Sequence, residues 1–171
     1  MGTLLERLSG RQHLAVALLS TWLVLTSPWV AMLRAIPRSA GFLDYSHVAL
    51  GFVTLLCAFT YTVSCTRAGR WRQYFPWAAG QLGAVGRDVR GLLRGRIPAA
   101  EGGGLFAVIE GALLVLLLAT AVTGAAWFFT QGSSDALAWR ACHVHAARWL
   151  AGMIVVHVVT VSLHLLDFVR D

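Results

Sequence analysis

Four long apolar runs dominate the sequence, and they constrain the fold more than any other feature. The runs cover residues 13–33, 42–65, 105–130 and 142–168. Each has about 20 residues or more, which is enough to cross a ~30 Å hydrocarbon core as a helix that rises 1.5 Å per residue. Only a helix satisfies the backbone hydrogen bonds of one lipid-exposed segment by itself. The sequence therefore predicts an all-α integral membrane protein built as a four-helix bundle.

Composition supports this class of protein. Hydrophobic residues make up 57% of the 171 positions and charged residues 13%, whereas soluble domains carry about 25% charged residues. The length suits one transmembrane domain over residues 1–171. Arg7 and Arg11 precede the first run, as in a signal peptide. That run is longer than a signal core and no small-x-small cleavage site follows it, so we expect a retained helix.

The positions of the arginines predict how the bundle is oriented in the membrane. The chain has no lysine, so arginine provides all of its Lys/Arg charge. The loop 66–104 and the two ends of the chain carry ten of them: Arg7, Arg11, Arg67, Arg70, Arg72, Arg87, Arg90, Arg94, Arg96 and Arg170. The opposite side of the predicted bundle has Arg34, Arg38 and Arg140. The positive-inside rule therefore places both termini and the loop in the cytoplasm.

The loop 66–104 is basic, but it does not read as a nucleic-acid surface. Its sequence does not show the basic residues interleaved with aromatic residues that would line a nucleic-acid-binding groove. We therefore expect no nucleic-acid partner. A short amphipathic helix around Gln81–Leu93, lying on anionic headgroups, is one interpretation of its sequence. A solvated basic loop retained on the cytoplasmic side is the alternative.

Histidines are the strongest pointer to function. The chain has His13, His47, His143, His145, His157 and His164, and each of them lies in or at the edge of an apolar run. Titratable groups in hydrocarbon are costly and usually functional, and imidazole is a common axial ligand of haem iron. His143 and His157 are fourteen residues apart, which on a helix places them within about 40° of one direction and about 21 Å apart.

Helix direction sorts these histidines by depth. His13 falls at the inner end of the first run and His47 at the outer start of the second, while His143 is outer and His157 inner. The pairs His47–His143 and His13–His157 would then bracket two stacked haems. Two imidazoles on one iron give a six-coordinate site that favours electron transfer over oxygen binding.

Two of the four ligand assignments stay open at this point. His145 is the alternative to His143, although it points about 120° away from His157 on a helix. His164 is the alternative to His157, since it follows seven residues later, about 20° off the same line. The predicted depth in the membrane is compatible with either His157 or His164 as the inner ligand.

Other metal chemistry is disfavoured. A zinc site needs three or four ligands at about 2 Å, which histidines 21 Å apart along a helix cannot supply. It would need His143 with His145 and a third group, and these two do not share a face. The cysteines are Cys57, Cys65 and Cys142, with no CxxC pair and no CxxCH motif, which excludes covalent haem attachment.

Further polar residues near the runs have two interpretations each. Arg11 and Arg148 could contact haem propionates, or could snorkel to headgroups. Glu110 lies a turn or so into the third run, and with His164 it could exchange protons at an inner quinone site. The alternative for Glu110 is a carboxylate that snorkels to the interface.

Three segments carry a resemblance to a known family. They are RQHLAVALLSTWLVLTS, HVALGFVTLL and HVHAARWLAGMIVVHVVTVSLHLLDF. The chain resembles the bacterial cytochrome b561 family and the related cytochrome b subunits of nickel-iron hydrogenases, formate dehydrogenases and thiosulfate reductases. The resemblance implies a bacterial inner-membrane protein with two non-covalent haem b groups. It also implies axial ligation by His13, His47, His143 and His157.

The resemblance also implies a function. Classical members carry histidine in the third span, where this chain has Ile109 and Glu110, which favours a membrane subunit of a larger oxidoreductase. Such a subunit links the quinone pool to a catalytic redox subunit or a periplasmic electron carrier. It transfers electrons and is not catalytic on its own. The alternatives are a stand-alone superoxide/quinone oxidoreductase and a cofactor-free transporter or scaffold.

Overall fold

The structure, a computed structural model, describes the backbone of residues 2–95 and 104–170. Side chains are described over 10–95, apart from residue 68, and over 104–165. The helices are α1 Gly2–Thr26, α2 Phe42–Thr66, α3 Trp71–Tyr74, α4 Leu82–Leu92, α5 Leu105–Phe129 and α6 Ala136–Arg170. No strand occurs in the described ranges, which confirms the all-α prediction. Arg96 and the side chains of Arg7 and Arg170 lie outside the described residues.

Three of the described helices are long and apolar enough to cross a membrane. They are α2, α5 and the Ala136–Leu165 part of α6. The helix α2 ends one residue beyond the predicted run, and α5 ends one residue before it. The helix α6 begins at Ala136, earlier than the predicted Cys142. A fourth span formed by α1, and the cytoplasmic position of both termini, stay predictions.

The first helix is shorter at its C-terminal end than its apolar run. We expected this span to continue up to Leu33. Instead α1 ends at Thr26, a 3-10 turn covers Ser27–Trp29, and Val30 is extended. Proline lacks the N–H of an α-helical residue and disfavours helical dihedrals in the residue before it. Pro28 therefore terminates this helix, and the prediction of helix up to Leu33 is wrong.

The chain divides into two compact units, the first of which contains Met1–Ser64 and Leu116–Leu150. In this unit the connection between α1 and α2 is bonded to the end of α5 and the turn after it. The indole of Trp127 donates to the carbonyl of Leu33 over 2.8 Å. Gly132 donates its backbone N–H to the carbonyl of Arg34 over 3.1 Å. These bonds satisfy carbonyls that have no helical partner.

One carboxylate closes the same connection at its other side. Asp44, in the first turn of α2, accepts hydrogen bonds from the backbone N–H groups of Ala31 and Gly41 at 2.7 and 2.8 Å. Two orphan donors are thereby satisfied at a helix N-terminus, where a negative charge is favoured. The position of His47, one turn further along α2, follows from this anchored start.

The second unit contains Cys65–Val115 and Ala151–Asp171. It holds α3 and α4, and α4 confirms the predicted amphipathic helix around Gln81–Leu93. Backbone contact with α5 is close at Gly111. A Cβ there would overlap the carbonyl oxygen of Tyr74 and lie 2.7 Å from Cη2 of Trp77. The glycine therefore allows the chain after α3 to pack directly on α5.

We expect Gly111→Ala to destabilise the second unit, because the added methyl group collides with backbone rather than with a movable side-chain end. Overpacking of this kind costs about 1–3 kcal/mol. The free energy of unfolding, measured by denaturing-detergent titration, should fall by that amount. Gly152→Ala is the matched control, since nothing lies within 4 Å of its Cβ position in α6. Equal unfolding free energies for the two variants would contradict the contact.

Candidate functional site

Two of the predicted ligands meet in the first unit. The rings of His47, near the start of α2, and His143, in the second turn of α6, have centroids 6.3 Å apart and planes at 88°. Both side chains are half-buried. The predicted outer pair is therefore brought together by the fold.

The spacing of these rings fits one metal ion between them. Two imidazoles bound to one ion at metal–nitrogen distances of about 2 Å place their ring centroids about 6 Å apart. No group of three or more His, Cys, Asp or Glu side chains that could hold a metal ion occurs in the described part of the chain. A pair of imidazoles at this spacing would suit a haem iron, which takes its other ligands from the porphyrin.

The tautomer of His143 follows from a single hydrogen bond. Its Nδ1 lies 2.9 Å from the carbonyl oxygen of Thr120 in α5. A carbonyl only accepts, so Nδ1 carries the proton and a neutral ring presents the lone pair of Nε2. Metal-binding histidines are oriented in this way by a backbone carbonyl or carboxylate on the other ring nitrogen.

A glycine on α5 makes room for the same ring. A Cβ added at Gly124 would lie 3.0 Å from both Nδ1 and Cε1 of His143, which is closer than ordinary van der Waals contact. Thr120 and Gly124 are one helical turn apart and lie on the same face of α5. The carbonyl and the glycine together define where the His143 ring lies.

In the part of the chain that the structure describes, the ring of His47 lacks the kind of backbone hydrogen bond that orients His143. Its Nδ1 is buried and has no hydrogen-bond partner among the described residues. Buried polar atoms nearly always have a partner, and an exception is typical of a site that a ligand or ion completes. This orphaned nitrogen is a second observation, independent of the ring spacing, that fits a bound group beside His47.

The alternative ligand His145 faces away from this pair. It is exposed, and its Nδ1 bonds to the carbonyl of Ala141 in its own helix at 2.8 Å. Arg148 is also exposed. The geometry of the first unit therefore favours His143 over His145 as the partner of His47.

The remaining histidines are found in both units. In the first unit, His13 is exposed and its ring centroid lies 5.9 Å from that of Tyr61; Arg11 is exposed nearby in sequence. In the second unit, His157 and His164 are half-buried, and the ring of His164 contacts Phe106 with centroids 6.0 Å apart. The inner pair His13–His157 stays a prediction.

The second unit also contains a polar group that we did not predict from the sequence. Burial and a hydrogen bond with the fully buried Cys65 raise the pKa of Tyr74 to about 12, and the charge of Glu110 contributes in the same direction. The Tyr74 hydroxyl is therefore protonated at neutral pH. Glu110 itself is exposed on α5. No sequence signal marks this cluster, because its members lie on α2, α3 and α5.

Comparison with known protein families returns one that spans nearly the whole chain. The family model described as prokaryotic cytochrome b561 matches residues 8–167. Comparisons with curated proteins and with solved structures give no significant match.

Gly124→Ala tests whether the room beside His143 is needed for haem. The added methyl group would push the ring off Thr120, and such overpacking costs about 1–3 kcal/mol, or about five- to 150-fold in affinity. We expect that loss in a haem titration of the apoprotein, together with a changed low-spin ferric signal in electron paramagnetic resonance. Gly152→Ala should leave both unchanged, and haem affinity equal to wild type in Gly124→Ala would contradict a need for the room that Gly124 leaves beside the His143 ring.

Proposed function

The chain belongs to the prokaryotic cytochrome b561 family, and from that premise we propose that it transfers electrons across the bacterial inner membrane through two haem b groups. Family membership makes it a membrane-bound b-type cytochrome of electron transfer. Two haems, a quinone substrate and a redox partner are the proposed refinements. The observation that carries the proposal is the close approach of the His47 and His143 rings.

His47 and His143 are the proposed ligands of the outer haem. The haem supplies a reversible one-electron couple, and the protein supplies its ligands and surroundings. His143 offers Nε2 because Thr120 holds the Nδ1 proton, so this ring enters the site already oriented. Two imidazole ligands would leave the haem iron no free position for oxygen, which favours electron transfer over oxygen binding.

His13 and His157 are the proposed ligands of the inner haem. His157 follows His143 by fourteen residues in the continuous helix α6, and a regular helix directs both within about 40° of one line. His164 is the alternative inner ligand. Arg11 and Arg148 are the proposed contacts of haem propionates, because a guanidinium forms bidentate hydrogen bonds with a carboxylate.

A quinone site at the inner end would connect this protein to the quinone pool. Glu110 is the proposed proton carrier, since quinone chemistry moves protons with its electrons. Tyr74 lies close enough to Glu110 for the charge of this carboxylate to help raise the pKa of the Tyr74 hydroxyl. The quinone pool and a catalytic redox subunit, or a periplasmic electron carrier, are then the two ends of the electron path.

Replacing ligands one at a time tests the pairing. We expect His47→Ala and His143→Ala to lose the same haem, and His13→Ala and His157→Ala to lose the other, because each variant would lack one of the two imidazoles that hold that haem. Haem per chain should fall from two to one in the pyridine haemochrome assay. Reduced-minus-oxidised spectra and redox titrations identify which haem has gone.

Matched controls separate ligation from general damage. His145→Ala changes an exposed imidazole two residues from His143 and should keep both haems. His164→Ala is the corresponding control for the inner haem, and it should also keep both haems. If His145→Ala loses the haem that His143→Ala keeps, the outer ligand is wrong. A wild-type protein that binds one haem would overturn the two-haem proposal.

Glu110→Gln tests the proton role of this carboxylate. General acid–base groups contribute about 10²–10⁴-fold to the rate of a proton-coupled step. We expect quinol-driven haem reduction, followed by stopped-flow absorbance, to slow at least tenfold while both haems remain. Asp135→Asn removes an exposed carboxylate from the turn before α6 and is the control. Unchanged reduction by quinol in Glu110→Gln would remove Glu110 from the mechanism.

A further inference from the structure

The helix α4 exposes two adjoining faces of opposite chemistry. The first is apolar, and its largest members, Leu82, Val89 and Leu93, are 56%, 44% and 83% exposed. Successive spacings of seven and four residues place these three side chains along one stripe of a helix. Exposed apolar side chains aligned in this way require a non-aqueous neighbour.

The second face of α4 is positively charged. Arg87 and Arg90 are three residues apart on α4, Arg94 follows in the turn after the helix, and all three are exposed. Arg90 donates from Nε to the carbonyl of Gly86 at 3.1 Å, so its side chain lies along the helix surface. The guanidinium groups thus form a row beside the apolar stripe.

One acidic residue attaches this helix to a membrane-spanning segment. Asp88 accepts a 2.8 Å hydrogen bond from the backbone N–H of Leu105, the first residue of α5. A Cβ at Gly104 would overlap this carboxylate. The acid of α4 is therefore engaged with α5, while its arginines are left facing outward. The bond holds α4 at the level where the apolar helix α5 begins.

We propose that α4 is an anionic-lipid-binding helix that lies in the headgroup layer at the start of α5. Its leucines and valine enter the boundary of the acyl chains, and its arginines bind the phosphates of anionic phospholipids. Amphipathic helices with a basic polar face bind membranes in this way, and basic residues at the surface add attraction to anionic lipid. The inference depends on α5 as a spanning helix and not on the number of haems.

Hydrogen–deuterium exchange of the full-length haem-loaded protein in lipid nanodiscs tests the proposal. The probe is phosphatidylglycerol, mixed with phosphatidylcholine, against phosphatidylcholine alone. We expect amides of residues 82–95 to exchange more slowly in the anionic discs. Each arginine contributes a factor of about five to such binding, so Arg87→Gln/Arg90→Gln should reduce the anionic protection up to about 25-fold. High salt should weaken it as well.

Arg67→Gln/Arg72→Gln is the control, because it removes the same charge from the basic segment outside α4. It should keep the anionic protection of residues 82–95. Equal protection of the wild-type protein in both lipids would overturn the proposal, as would equal loss in the two double variants. Protection by inorganic phosphate in neutral discs would identify a free-anion site instead of a lipid site. Haem spectra confirm that every variant is folded.

Discussion

The contact between the His143 ring and the backbone of α5 determines the geometry of the His47–His143 pair. The ring lies against Gly124, where a methyl group would be 3.0 Å away, and its Nδ1 meets the carbonyl of Thr120 at 2.9 Å. One contact sets the distance between helix and ring, and the other sets the rotation of the ring. The ring positioned in this way has its centroid 6.3 Å from that of His47, with the two ring planes at 88°.

A ring held in this way suits electron transfer. Electron exchange is fastest when bonds and neighbours move little between the oxidised and reduced states, and a tightly packed interior resists such movement. His143 gains this rigidity from backbone groups of a helix, which are less mobile than side chains. His47 depends on the start of α2, where Asp44 holds two backbone N–H groups. The His143 ring is thus positioned by a helix backbone, and the His47 ring by the start of a helix that is bonded to the α1–α2 connection.

Sequence reasoning succeeded where a repeating pattern carried the information. Apolar runs of spanning length predicted α2 and α5 within one residue at each end, and helix direction predicted that His47 meets His143. The end of α1 was placed too late, because the apolar run continues past Pro28 while the backbone cannot. The Thr120 carbonyl had no signal at all, since a backbone acceptor is the same in every residue. Tyr74 and Cys65 were missed because their proximity depends on how the chain folds back after α2.

The arginines of the loop 66–104 support two separate inferences, one from their number and one from their arrangement on α4. Its arginines predict the side of the membrane on which the loop stays, and that inference needs only their number. Their arrangement on α4 carries more information than the number does. A solvated loop would gain nothing from aligning Leu82, Val89 and Leu93 beside Arg87 and Arg90, and exposing that stripe to water would be costly. The engagement of Asp88 with α5 leaves those arginines without an acidic neighbour on their own helix. The charge that is predicted to retain the loop on the cytoplasmic side would, in the arrangement proposed for α4, also attract anionic lipid.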